Sequence, residues 1–317
     1  MKTKVFVDGE AGTTGLEIRE RLALRSDIEV MHIDPARRKD ASARAECLNA
    51  ADVAFLCLPD DAARESAALV RNARTCVIDA STAHRADPNW AYGVPELSPS
   101  YRAAVRAGKR IANPGCHATG FVLAIRPLVQ RGIISPDFVL SCLSLTGYSG
   151  GGKKLIATYN QSPLPASLQS PRPYALGLRH KHLPEMTAHT GLTSAPVFVP
   201  VVGNFYRGML LTIPLALRQL STRLRPAEVH RIFAETYAGE KFVRVLPFAD
   251  DSILDGESFD IQGCNGTNRC DIALFADEDR VALMVRLDNL GKGASGAAIQ
   301  CMNLHLGLDE GVGLKTE

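Results

Sequence analysis

The segment Asn113-Pro114-Gly115-Cys116-His117-Ala118-Thr119 places one cysteine after a Pro-Gly turn, just ahead of a run from Ala118 to Gln130 that reads as a helix. A thiol with a pKa near ~8.5 is only slightly ionised at neutral pH, and the positive end of a helix lowers that value and makes the sulfur a nucleophile. Further on, Arg179-His180-Lys181-His182-Leu183-Pro184-Glu185 offers two histidines at i and i+2, which share one face if the segment is extended. A histidine with a pKa near ~6.5 passes protons at neutral pH, and Glu185 could orient one of them. Such a pair is more often structural or merely exposed. A metal site would need a third ligand at recognisable spacing, and none follows.

Glycines make the second group of candidates. Gly9, Gly12 and Gly15 stand three apart in Gly9-Glu10-Ala11-Gly12-Thr13-Thr14-Gly15, after a short apolar strand and before a helical pattern. Such a turn brings backbone close to a pyrophosphate and aims helix N-terminal amides at its charge. The spacing is GxxGxxG, not the GxGxxG of the common dinucleotide fingerprint, and a plain strand-helix turn would look the same. Asp34 lies about 20 residues beyond, followed by Arg37, Arg38 and Lys39. An acidic residue there suits the ribose of NAD and adjacent arginines suit the extra phosphate of NADP, and the arginines favour NADP. Gly147-Tyr148-Ser149-Gly150-Gly151-Gly152-Lys153-Lys154 nearly spells a P-loop, but Lys154 stands where a magnesium-binding hydroxyl belongs, which disfavours a kinase or ATPase. Asn289-Leu290-Gly291-Lys292-Gly293-Ala294-Ser295-Gly296 opens an amphipathic helix over Ala297–Leu308, with room for a ligand or for close helix packing.

These groups need elements to hold them. Strand signals at Val5–Asp8, Ile28–Asp34, Val53–Leu58 and Cys76–Asp79, with a helix over Gly12–Arg25, alternate as β/α and predict a parallel sheet covered by helices. Past Phe138–Leu145, strand signals at Val197–Val202, Met209–Pro214, Lys241–Val245 and Val281–Asp288 predict a mixed or antiparallel sheet. The 317 residues, 46% hydrophobic, suffice for two domains. Thirty-six basic against 34 acidic residues, with no long like-charge run, give no reason to expect nucleic acid or an anionic membrane as partner. No stretch approaches the ~18 apolar residues of a membrane span and the N-terminus is too short for a signal core, so a cytoplasmic protein is expected. Cys57, Cys76, Cys142 and Cys301 fall in apolar segments and read as core, Cys264 and Cys270 read as a polar loop without zinc spacing, and Cys47 stands alone.

Taken together and in order, GxxGxxG, Asn113-Pro114-Gly115-Cys116, His180-x-His182-x-Pro184-Glu185 and Asn289-Leu290-Gly291-Lys292-Gly293-Ala294-Ser295-Gly296 resemble the N-acetyl-gamma-glutamyl-phosphate reductase family in its shorter form, over nearly the whole chain. The resemblance implies a Rossmann-like parallel-sheet NADP-binding domain from residues 1–117 and 286–317, with an inserted α+β substrate-binding and oligomerisation domain, 118–285, on a mixed sheet. It implies a cytoplasmic, NADP(H)-dependent oxidoreductase of arginine biosynthesis, a homo-oligomer of two or four chains with no metal. Cys116 would displace phosphate from an acyl phosphate, because the resulting thioester accepts hydride where a carboxylate does not. His180 or His182, with His182 favoured, would assist collapse to the aldehyde. Gly9, Gly12, Thr13, Thr14, Gly15, Arg37, Arg38, Pro59 and Ser81 would hold the nucleotide, with Asn289, Gly293 and Ser295 near the nicotinamide. Arg85, Arg207, Glu185 and Ser149 are the substrate candidates, since an arginine fork suits carboxylate and phosphate alike. Other acyl phosphates, aminoadipyl or aspartyl, stay open as substrates, as does a non-catalytic NADP-binding sensor.

Overall fold

The computed structural model of the chain describes residues 2–9 and 12–317, so Glu10 and Ala11 of the glycine stretch lie outside the described residues. The chain divides into two compact units, Met1–Gly115 with Ala294–Leu314, and Cys116–Gly293 with Lys315–Glu317. Cys116 and His117 stand with the second unit because they open the helix that packs on its sheet.

The first unit winds β1 (Thr3–Asp8), α1 (Thr13–Ala23), β2 (Ile28–Met31), α2 (Ala41–Ala50), β3 (Val53–Leu56), α3 (Asp60–Leu69), β4 (Cys76–Asp79), β5 (Ala91–Tyr92), α4 (Pro99–Ala107) and β6 (Arg110–Ala112). The strands form one sheet in the order β2-β1-β3-β4-β6-β5, and every pairing is parallel. β3 and β4 are buried along their whole lengths, as a parallel sheet with both faces covered requires. Val5 and Val7 join one core layer with Ile18, Leu22 and Phe55, while Phe6, between them, joins another with Leu48, Leu56 and Val77. That alternation is the period of two made visible. Asp40 and Ser98 start α2 and α4 by accepting from the amides of Ala43 and Tyr101.

The second unit runs α5 (Cys116–Gln130), β7 (Ser141–Gly147), α6 (Gly152–Tyr159), β8 (Arg172–Pro173), α7 (Leu183–Thr190), β9 (Val197–Gly203), β10 (Met209–Ala216), α8 (Pro226–Thr236), β11 (Val243–Val245), β12 (Cys270–Ala276) and β13 (Arg280–Leu287). Its sheet is mixed, in the order β11-β12-β13-β10-β7-β9-β8. A side chain at Gly120 would meet Leu211 Cδ1 at 2.7 Å and Leu287 Cδ2 at 3.2 Å, so the glycine lets α5 lie directly on β10 and β13. The helix is buried almost all round, which is why it is apolar without a polar stripe. On the opposite sheet face Leu143 and Val197 remain 49% and 41% exposed.

A π-helical turn, Gly291–Ser295, leads into α9 (Gly296–His305). Residues Gly296 to Leu304 are all buried, so the amphipathic helix expected over Ala297–Leu308 is a core helix that stops earlier. The expected polar loop holds for Cys264, which lies in a turn, but not for Cys270, the first residue of β12, and both thiols are fully buried. Among the described residues no helix is long and apolar enough to cross a membrane.

Candidate active site

Cys116 is the first residue of α5, two residues earlier than the sequence places the helix start, and it is half-buried. A side chain on Gly293 would come within 2.7 Å of Cys116 Cβ and 3.1 Å of Leu287 Cδ1. The bare backbone at Gly293 is therefore what gives Cys116 its place.

Three imidazoles gather at His117, the residue that follows this thiol on α5. The His117 and His180 ring centroids are 5.3 Å apart, His117 and His182 5.5 Å, and His180 and His182 4.7 Å, with Phe198 5.2 Å from both His117 and His180. The segment is not extended: His180 lies in irregular backbone and His182 precedes α7 with φ −87° and ψ −9°. The rings meet because the chain bends there, bringing the His182 amide 3.2 Å from His180 Nδ1, to which it donates. Glu185, buried in the first turn of α7, sits on the same segment.

His117 and Tyr174 were not singled out from the sequence, yet they are tied into the same group. His117 Nδ1 is 2.8 Å from Ser144 Oγ on β7, and its Nε2 is 3.0 Å from the Tyr174 hydroxyl. Burial, then the positive charges of His180 and Lys181, push the His117 imidazole down to about 3, so it is neutral at physiological pH. Burial, with the Cys116 charge in addition, holds the Tyr174 phenol well above its ordinary value. One signal for Ser144 was in the sequence: the two-residue period of Ser141-Cys142-Leu143-Ser144 puts its hydroxyl on the buried face with Cys142, where it needs a partner.

Beyond the thiol, Asn289 links two of the candidate loops. Its Nδ2 donates to Ser149 Oγ at 2.9 Å and its Oδ1 accepts from the Gly208 amide at 2.9 Å. Arg207 lies 3.4 Å from the fully buried Asp288 and 5.3 Å from the Tyr206 ring centroid. Asp288 also accepts from the amides of Gly266 and Leu290.

In the first unit the glycine turn follows the end of β1, beside β3, where the strand order reverses and open α/β sheets bind their ligands. Gly9 has φ +87°, and a side chain there would strike the Cys57 carbonyl oxygen at 2.3 Å. Gly12 caps α1 without any side-chain cap, leaving first-turn amides to an outside acceptor, and the buried Thr13 hydroxyl has no partner among the described residues. Thr14 and Gly15 continue that first turn, and Pro59 precedes α3. Asp34 Oδ1 accepts from the Ala36 amide in its own turn, whereas Arg37 is half exposed and only 3.8 Å from Asp40. Ser81 is held by Asp79, its hydroxyl at 2.7 Å and its amide at 2.9 Å. Ser295 Oγ accepts from Arg21 Nε at 3.1 Å. Arg85 is buried, with Nε on the Asn113 carbonyl and Nη2 on the Ala80 carbonyl, both at 2.9 Å.

The chain falls in the semialdehyde dehydrogenase class: residues 27–104 match the family model "Semialdehyde dehydrogenase, NAD binding domain" and residues 116–289 the model "Semialdehyde dehydrogenase, dimerisation domain". The fold is also that of aspartate semialdehyde dehydrogenase II from Vibrio cholerae, with a TM-score of 0.72 at 18% identity over 96% of this chain and 99% of that one. N-acetyl-gamma-glutamyl-phosphate reductase 2 of Nostoc sp. is 48% identical over 99% of both chains. N-acetyl-gamma-glutamyl-phosphate reductase of Mesorhizobium japonicum is 47% identical over 97% of this chain and all of its own. The chain belongs to the N-acetyl-gamma-glutamyl-phosphate reductase family.

Proposed function

We propose that the chain reduces N-acetyl-gamma-glutamyl phosphate to N-acetylglutamate 5-semialdehyde, with NADP(H) as cofactor and release of phosphate, through a thioester on Cys116. The observation that carries the reading is one half-buried thiol at the first residue of α5, seated against bare Gly293 and followed directly by His117, whose ring packs with those of His180 and His182. NADPH, when bound, supplies the hydride.

Gly9 and Gly12 would let backbone approach the pyrophosphate, and the α1 amides, the Thr13 hydroxyl, Thr14 and Gly15 would meet its charge. With Asp34 engaged in its own turn, Arg37 and Arg38 would take the 2′-phosphate. Pro59 and Ser81 border the same end of the sheet, and Ser295 stays a candidate for the nicotinamide side. Asn289 and Gly293 contribute by construction, one joining Ser149 to Gly208, the other making space for Cys116.

Cys116 attacks the acyl carbon and phosphate leaves. After hydride addition the sulfur departs as thiolate, with His182 or His180 serving the proton steps. Arg207, steered by Asp288, holds an anionic end of the substrate, and Ser149, already accepting from Asn289, has its hydroxyl proton to donate. Glu185 orients the histidine segment. Arg85, its fork engaged by two backbone carbonyls, shapes the turn below Asn113. The half-exposed apolar strip of β7 and β9 is the face on which we place self-association into a homo-oligomer.

The reverse reaction tests this reading: NADPH formation from N-acetylglutamate semialdehyde, NADP and phosphate, with aspartate semialdehyde as the competing substrate. Phosphate-dependent turnover that Cys116→Ser lowers by at least about 1,000-fold, with NADP binding unchanged, is the expected result. NADP binding without turnover in the native chain would make it a sensor, and preference for aspartate semialdehyde would reassign the substrate.

A further inference from the structure

The hydroxyl of Ser144 is fully buried on β7, and among the described residues its hydrogen bond is the one to His117 Nδ1. A buried hydroxyl left without an acceptor costs about 1–3 kcal/mol, so Ser144 is best satisfied by donating to Nδ1. A neutral imidazole carries one proton. With Nδ1 accepting, that proton sits on Nε2 and is donated across 3.0 Å to the Tyr174 oxygen. The phenol then accepts from His117 and turns its own O–H elsewhere. Tyr174 is 37% exposed, unlike Ser144 and His117, and the ring that holds its hydroxyl at 3.0 Å belongs to His117, which directly follows Cys116 at the start of α5, so the hydroxyl is anchored one residue from the thiol.

We propose that Ser144 and His117 are positioning residues that fix the tautomer and rotamer through which Tyr174 donates a hydrogen bond to the oxyanion formed on Cys116. The proposal rests on the thioester reading given above. Hydride adds to the thioester carbonyl carbon, the carbon–oxygen π electrons move to oxygen, and the Tyr174 O–H stabilises the resulting alkoxide without losing its proton. The alkoxide then re-forms the carbonyl, the carbon–sulfur bond breaks, and Cys116 leaves as thiolate. Tyr174 ends as it began. A phenol with a raised pKa suits a donor that must not ionise, and the neutral His117 suits an orienter that must not compete for the substrate's charge. No second tautomer satisfies Ser144 equally, so the order Ser144, His117, Tyr174 has a direction.

The experiment compares Tyr174→Phe, Ser144→Ala, His117→Gln and the pair His117→Gln/Tyr174→Phe in the phosphate-dependent reverse assay. Iodoacetamide modification of Cys116 and thermal unfolding follow in parallel. Tyr174→Phe is expected to lower kcat about 100-fold, the size of one lost oxyanion donor, with KM for the semialdehyde within threefold and the Cys116 alkylation rate unchanged. Ser144→Ala should lower kcat less, and the double variant should match Tyr174→Phe alone because His117 acts only through the phenol. A Tyr174→Phe enzyme with native kcat, or multiplicative losses in the double variant, overturns the proposal. If His117→Gln fails to fold, Ser144→Ala and Tyr174→Phe decide it alone. An inactive native chain would instead overturn the reductase reading, because it fails before any variant is made.

Discussion

At α1 the helix N-terminus is furnished by Gly12, Thr13 and Thr14, with no side-chain cap; at α5 it is furnished by Cys116 and His117, with Gly293 brought against the thiol. Both helices follow a glycine-bearing turn, and both offer first-turn amides. In the first unit no side chain caps the helix, so its backbone can be reached, which on the proposed reading suits an anion that stays intact. In the second unit the side chains crowd in, with His117 touching both Ser144 and Tyr174, which on the proposed reading suits bonds that form and break. The same secondary-structure device thus serves binding or chemistry according to whether glycine clears space for a ligand or for a neighbouring side chain.

Replacing one glycine in each unit tests that contrast, and it has the largest expected effects. Gly9→Ala forces a side chain onto the Cys57 carbonyl at 2.3 Å in a left-handed backbone, so stability and NADP binding should fall together. Gly293→Ala has ordinary backbone and displaces Cys116 at 2.7 Å. It should cut kcat by about 100-fold, since misplacing a reacting group by an ångström costs that much, and leave NADP affinity within twofold. Calorimetric NADP titration beside steady-state kinetics separates them; equal loss of NADP affinity in both variants would show that the two glycines do the same work.

His117 makes the second site sensitive to acid. Its imidazole ionises near 6.5 in the unfolded chain and near 3 when folded, chiefly through burial. Below pH 6.5 the unfolded state therefore binds a proton that the folded state refuses, and stability is lost as pH falls toward 3. Between pH 7 and pH 5 this one group should remove about 2 kcal/mol. Urea unfolding of native protein and His117→Gln at pH 7, 6 and 5 should show the native curve falling more steeply by that amount. Parallel curves would mean that the buried ring is protonated in place.

How far the sequence revealed each site follows from where its parts lie along the chain. The glycine turn, Cys116 with its helix, and the His180–His182 pair are each local, so spacing alone exposes them. Ser144 and Tyr174 reach His117 from 27 and 57 residues away, joined only when β7 and the β8 region fold back over α5. Nothing in a one-dimensional pattern pairs them. The alternating β/α order predicts the parallel sheet because its central strands, β3 and β4, are buried on both faces. The mixed sheet was legible only as strands, since its order depends on which edges meet. Cys270 misled because its neighbours are polar: Asp271 and Arg286 pair at 2.9 Å within the fold, so polar residues there accompany a buried strand, whereas Cys264 does lie in a turn.

The smallest effect lies where the first unit is most open to solvent. Asp34 spends a carboxylate oxygen on the Ala36 amide, while Arg37 stands half exposed and loosely paired to Asp40. If the arginines serve the 2′-phosphate, Arg37→Ser with Arg38→Ser should raise KM for NADPH about 10-fold, the scale of one exposed charge-assisted contact, and leave KM for NADH unchanged. Such contacts are screened by salt, so the gap between the two cofactors should narrow as ionic strength rises. Equal weakening of both cofactors would mean that the arginines support the β2 turn itself. In that case the backbone binding attributed to this unit would depend on its side chains after all, and the contrast with α5 would be one of degree.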